Sequence, residues 1–291
     1  MYKIITTLKC DLGEGLLWDY LNDRLLLTDI NSQLLISVDV NSASYQSWDM
    51  PSKIGWVLLS GLKNSYYIGL QNGINFFVQE SSLPPEPINT DFPGKVECRL
   101  NDACVDFLGR IWFGSMNFVA EERKDGALAS FSRDEGLKIH DDGFTVTNGP
   151  LISQDSKFLL LTDSIRQVIY RYDLSISDGV LSNRREFVKF NPNEGFPDGM
   201  CFDVDGNLWV AMWGAGKVIK INPHGQIIRE FVLPAPNLTN VCFGGRNFNR
   251  LFVSSARAGL SEQNLNNFPN SGALFEIDNH NSVGFRANQA R

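Results

Sequence analysis

The feature that most constrains the fold of this chain is a unit that recurs six times at intervals of roughly 40 to 49 residues, a period that belongs to propellers and solenoids. Each unit holds a short apolar run, a polar turn such as Asn22-Asp23, Leu108-Gly109 or Asp205-Gly206, and a second apolar run. The second runs centre on Leu27, Tyr67, Trp112, Leu160, Trp209 and Phe252. A third run follows in every unit, reading Leu35-Ile36-Ser37-Val38 in the first and Val168-Ile169-Tyr170-Arg171-Tyr172 in the fourth. Short β-branched and aromatic runs bounded by Gly, Asn, Asp and Pro, without sustained 3.6-residue periodicity, predict an all-β chain.

Units of this length cannot bury both faces of their own sheet. Six of them stacked radially around a channel do bury those faces and leave only short edges, so the expected fold is a six-bladed β-propeller. Fourth strands are expected at Ala43 to Trp48, Arg185 to Phe190 and Ile227 to Leu233. The sixth unit has none, because the chain becomes Asn-rich after Ile277. Tyr2-Lys3-Ile4-Ile5-Thr6 reads as a strand without a unit of its own, and it is expected to complete the last blade and close the ring.

The repeat runs from end to end, which predicts one domain over residues 1–291 rather than the two suggested by length. Twenty Phe and six Trp supply ample core. No apolar run approaches the roughly 20 residues that span a bilayer. The N-terminus lacks the apolar stretch and cleavage site of a signal peptide. The five cysteines, Cys10, Cys98, Cys104, Cys201 and Cys242, are scattered and without metal-ligand spacing, so a cytoplasmic protein is expected. A formal charge of −7 without a Lys/Arg cluster argues against nucleic acid as a partner, and the apolar pattern argues against a membrane.

Counting back 11 to 13 residues from the second-run centres lands on Glu14, Gly55, Asn101, Asn148, Asp198 and Asn240, and five of those six are carboxylates or amides. The first strand of each propeller blade lines the channel, so side chains at one register are expected to form a ring of oxygen donors at one mouth. Each alone reads as a turn-capping residue; the shared register sets them apart as a group.

The three histidines, His140, His224 and His280, all read as surface loop residues outside that register, which makes a Ser-His-Asp triad improbable. Carboxylates with an amide carbonyl suit a hard divalent cation, calcium, magnesium or manganese, with zinc the softer candidate. An ion held by three protein groups keeps positions for water and substrate, the arrangement of metal-assisted hydrolysis.

The segments Gly13-Glu14-Gly15-Leu16-Leu17-Trp18, Arg99-Leu100-Asn101-Asp102, Asp106 to Met116, Thr147-Asn148-Gly149-Pro150, Pro197-Asp198-Gly199-Met200 and Leu238 to Gly245 occur in order along nearly the whole chain. Together they resemble the senescence-marker-protein, gluconolactonase and luciferin-regenerating-enzyme family, which includes regucalcin. The resemblance implies a six-bladed propeller, one divalent cation held by Glu14, Asn148 and Asp198, and hydrolysis of a small lactone substrate. It also implies that Asp198 is the general base and that Arg99 and Asn101 bind substrate oxygens. Strand parity places Arg99 on the face of Asn101.

Departures from the family pattern are Leu16 where Pro is usual, Ala103 where Gly is usual, and Val119 where many members carry a substrate-binding glutamate. Glu121 and Glu122 follow slightly downstream, so either that loop shifts in register or the contact is missing. Trp56, Phe118, Phe144 and Trp213 are candidates for the pocket rim. Two alternatives stay open: a non-catalytic calcium-binding or regulatory propeller, and a hydrolase of organophosphates or other esters at the same ion.

Overall fold

A computed structural model of the chain describes residues 1–90 and 97–291. It contains six four-stranded antiparallel sheets, the blades of a β-propeller, with one α-helix, Glu262–Asn267, among the described residues. The six second-run centres each fall in the second strand of a blade, and the third runs form the third strands. The expected fourth strands are present as Tyr45–Asp49, Val180–Lys189 and Ile227–Val232. The sixth blade lacks its own fourth strand. Tyr2–Ile4 fills that place, with Tyr2 opposite Ile277, Lys3 opposite Glu276 and Ile4 opposite Phe275.

The sequence of each strand follows its position in the sheet. Ile54–Leu59 is buried at every residue and apolar except for its glycine, as expected of a strand covered on both faces. The outer strand Val180–Lys189 is largely exposed and carries Arg184, Arg185, Glu186 and Lys189, charges that discourage edge pairing.

The blades fall into two compact units. One comprises Met1–Asp49 with Pro192–Arg286 and holds the first, fifth and sixth blades; the other comprises Met50–Asn191 with Ala287–Arg291 and holds the second, third and fourth. Within the first unit, Trp209, Val218, Phe243, Leu251 and Phe275 pack into one apolar cluster, and Trp18, Leu25, Ile36 and Phe252 into another. Within the second, Trp56, Tyr67, Ile111 and Phe113 form one cluster and Trp112, Phe144, Leu159 and Tyr172 another.

Two of the turn aspartates are structural. Asp106 accepts the Trp112 indole N–H at 3.0 Å and the Leu108 and Arg110 amides at 2.9 Å. Asp203 accepts the Trp209 indole at 3.1 Å and the Asn207 amide at 2.9 Å, and it pairs with Lys220 at 2.9 Å. Burial pushes the Asp203 carboxyl up, but Lys220, the indole and the Asn207 donors outweigh it and hold it below the usual carboxylate range. The spacing from Asp through Gly to Trp in these two blades is therefore a device that closes the first turn onto the core.

Two histidines depart from the surface-loop expectation. His140 lies in the strand Gly136–Phe144, stacked on Trp112 at 4.6 Å with Nε2 2.8 Å from Ser130 Oγ. His280 is 7% exposed and packs against Phe243 and Trp209. Its Nδ1 accepts the Ser282 amide at 3.1 Å, which requires the neutral ring. The sequence hid this burial because neither histidine lies on a periodic apolar run. Trp56 and Phe144 are also fully buried and belong to the core, not to a pocket rim.

Candidate functional site

In every blade the first strand carries a β-bulge at the position picked out by register, which is a candidate oxygen donor in five blades and Gly55 in the second. The pairing registers shift between Glu14 and Leu17, Ile54 and Trp56, Leu100 and Ala103, Asn148 and Leu151, Pro197 and Met200, and Leu238 and Val241. Glu14 and Asn148 are the last paired residues before their bulges; Gly55, Asn101, Asp198 and Asn240 lie inside theirs. A bulge re-aims side chains out of the regular alternation of a strand and is frequent beside active sites. Reading by spacing alone identified these positions to within one residue but did not reveal the bulge.

In the second unit Arg99, Asn101 and Asn148 come together. Arg99 Nη1 donates to Asn101 Oδ1 at 2.5 Å and to the Leu100 carbonyl at 3.2 Å. Asn101 Nδ2 donates to the Thr147 carbonyl at 2.6 Å and to Asn148 Oδ1 at 3.0 Å, and Asn148 Nδ2 donates to Ser164 Oγ at 2.9 Å. A guanidinium can only donate, so it fixes the orientation of the Asn101 amide, and that in turn fixes Asn148 with its oxygen turned to Asn101. Asn148 Oδ1 then keeps a second lone pair. Asp102, absent from the residues singled out by register, accepts the Gly149 amide at 3.0 Å and the Ala103 amide at 2.8 Å. Its signal in the sequence was its place beside Asn101 in the segment Arg99-Leu100-Asn101-Asp102.

In the first unit Glu14 Oε2 accepts the Gly15 amide at 3.1 Å and Asn240 Nδ2 at 3.2 Å. Asn240 Oδ1 accepts the Val241 amide at 2.8 Å. Asp198 begins the bulge of the fifth blade and is followed by Gly199, where a β-carbon would stand 2.4 Å from the Asn240 amide; glycine is what allows that approach. Glu14, Asn148 and Asp198 are 7%, 3% and 7% exposed.

Buried carboxylate and amide oxygens are the donor chemistry of a hard divalent cation. Among the described residues no group of three or more His, Cys, Asp or Glu is placed to hold a metal ion. That is compatible with a set of two carboxylates and an amide, whose third donor is outside those four types.

The loop after Met116 is pinned by Asn117, whose Oδ1 accepts the Val119 and Ala120 amides and whose Nδ2 donates to Asp125 at 3.0 Å. Val119 is 67% exposed, and Glu121 and Glu122 also lie on the surface. Phe118 is half-buried with Lys53 Nζ 5.9 Å from its ring centre, and Trp213 is half-buried opposite Phe196. Cys10 and Cys98 are buried and the other three cysteines half-buried, and desolvation pushes the Cys242 thiol up to about 12 and those of Cys104 and Cys201 well above the ordinary value.

A sequence profile described as the SMP-30/Gluconolactonase/LRE-like region matches residues 12–257. Regucalcin of Macaca fascicularis is 31% identical over 277 residues, covering 92% of this chain and 91% of that protein. Among solved structures, a luciferin-regenerating enzyme superposes with a TM-score of 0.92 at 26% identity, covering 100% of this chain and 99% of that one. A calcium-binding protein, regucalcin, from Agrobacterium tumefaciens gives a TM-score of 0.92 at 21% identity, with 100% and 97% covered, and at that identity it speaks for the fold alone.

Proposed function

The chain belongs to the SMP-30/Gluconolactonase/LRE-like family, and on that premise we propose that it is a cation-dependent hydrolase that opens a small lactone, a sugar lactone foremost, to its hydroxy acid. Glu14, Asn148 and Asp198 hold one divalent cation, calcium, magnesium, manganese or zinc. The bound ion supplies polarisation of the ester carbonyl and a lowered pKa for water. Asp198 accepts the proton of the attacking water as general base. Arg99 donates to substrate oxygens, and Asn101, whose oxygen keeps a second lone pair beside its bond to Arg99, accepts from a substrate hydroxyl. The small lactone is the proposed partner and the cytoplasm the proposed compartment.

The observation that supports this reading most is the hydrogen-bonded orientation of Asn148. A buried amide whose oxygen is aimed by a chain of bonds starting at an arginine is a prepared acceptor, and preparation of that kind characterises ligand sites more than turn caps. The Agrobacterium tumefaciens regucalcin is a calcium-binding protein, which raises a second reading for this chain, a cation-binding propeller without catalysis. One experiment separates the two. Chelator-treated protein is given a series of sugar lactones with a pH indicator, and calcium, magnesium, manganese and zinc are added back singly. Acid release that appears only with an added ion is the expected outcome. Undiminished release in excess chelator contradicts the cation's role, and an absence of turnover of any lactone or ester with any ion transfers the case to the binding reading.

A further inference from the structure

Glu14 and Asn148 occupy the same place in their respective blades, and the likeness extends to their surroundings. Each is the last paired residue before its bulge, opposite a buried threonine: Thr28 for Glu14, Thr162 for Asn148. Those threonines are the fourth residue of the same sequence, Leu-Leu-Leu-Thr-Asp, at residues 25–29 and 159–163. Each candidate ligand is followed by a glycine of positive φ, Gly15 at 57° and Gly149 at 71°.

Each is held by the two bulged residues of a single neighbouring first strand. Asn101 and Asp102 hold the Thr147 carbonyl before Asn148, the Asn148 oxygen itself and the Gly149 amide after it. Thr239 and Asn240 do the corresponding work in the first unit. Thr239 Oγ1 donates to the Gly13 carbonyl before Glu14, and Asn240 Nδ2 donates to the Glu14 carboxylate. Glu14 and Asn148 thus sit in the same backbone frame, each gripped on the residue before it and on its own oxygen.

We propose that Thr239-Asn240 and Asn101-Asp102 are matched clamps that orient the two ligands, and that Asn240 is a positioning residue for Glu14 rather than a cation ligand. The inference rests on the cation reading above and assigns Asn240, one of the five oxygen donors in the sequence register, a different duty. Its amide oxygen is turned onto the Val241 backbone N–H, and its N–H faces a carboxylate, so the end of the side chain nearest Glu14 is a donor. A donor there sets the rotation of the carboxylate; it cannot itself bind a cation. Glycine at 199 leaves the space this amide occupies, since a β-carbon there would stand 2.4 Å from it.

The test is a binding measurement. Manganese(II) is titrated calorimetrically into chelator-stripped parent protein, Asn240→Ala, Glu14→Gln and the double variant, and the melting temperature of each is recorded without metal. Losing a residue that orients a ligand weakens metal affinity by about 10- to 100-fold, and that loss is expected in Asn240→Ala. In the Glu14→Gln background the second substitution is expected to add no further loss, because its effect runs through Glu14. Parent-like affinity in Asn240→Ala, or losses that add in the double variant, overturns the clamp and in the additive case makes Asn240 a ligand. Should Asn240→Ala fail to fold, Asn240→Ser, which can still cap the Val241 amide while withdrawing from Glu14, is read in the same way. A parent protein that binds no manganese, calcium, magnesium or zinc sinks the proposed function, and the clamp with it; a parent that binds one of them while Asn240→Ala binds equally well sinks the clamp alone.

Discussion

At the scale of single residues, burial and partner chemistry separate structural from functional polar groups. His280 shows how this reaches solution behaviour. Burial, with the cations of Arg229 and Lys220 nearby, holds its pKa below the ordinary imidazole value, and the Ser282 N–H aimed at Nδ1 opposes protonation. His140 is lowered to about 4, by burial first and then by Arg110 and Lys138. Below about pH 6.5 an unfolded chain protonates both rings while the folded chain resists, so the unfolded state binds more protons and stability rises with pH. Melting temperature is therefore expected to fall as pH is lowered from about 6.5 toward about 4. A His280→Leu variant is expected to show a shallower fall over that window, and a slope identical to the parent's would contradict the account. The turn aspartates give the complementary lesson in legibility. The segment from Asp106 to Met116 helped to mark the family, yet its aspartate serves a tryptophan and a turn. Sequence shows that an aspartate is present in a motif; only its partners show what it is for.

At the scale of the strand and blade, alternation of apolar runs and turns was enough to place the second strands and to assign the orphan N-terminal strand to the sixth blade. The bulges were not legible, because one extra residue against a partner strand leaves no periodic trace. Spacing found the donors only because the bulges recur at nearly one register. The N-terminal strand carries a direct prediction. Deleting Met1 to Thr6 removes three cross-strand pairs, the Lys3–Glu276 ion pair at 2.9 Å and the buried Ile5, and it exposes the edge at Phe275–Ile277. Cross-strand pairs contribute about 0.2–1 kcal/mol each and a buried Ile about 1.5–3. At about 2–4 °C per kcal/mol for a chain of this size class, the melting temperature should fall by roughly 10 °C. An unchanged value in thermal denaturation would show that the strand contributes nothing to closing the blade.

At the scale of the molecule, we propose that residues 1–291 unfold as one domain, since the six blades repeat one design and a repeat of this kind cannot bury its apolar faces alone. Calorimetry is expected to show a single transition, and two resolved transitions would contradict that expectation. A cation that binds only the folded chain adds about 2.7 kcal/mol at a hundred times its Kd, so excess chelator should lower the melting temperature by several degrees. The central claim, that Asp198 is both ligand and base at a hydrolytic cation, is tested most directly by Asp198→Asn assayed on a lactone turned over by the parent, with cation raised to saturation. The substitution keeps one oxygen and the side-chain size while removing the charge and the proton acceptor. Turnover is predicted to fall by about a hundredfold or more even with the ion bound, the scale of a lost general base or a major electrostatic contribution. Turnover restored to near the parent's by saturating cation would contradict it.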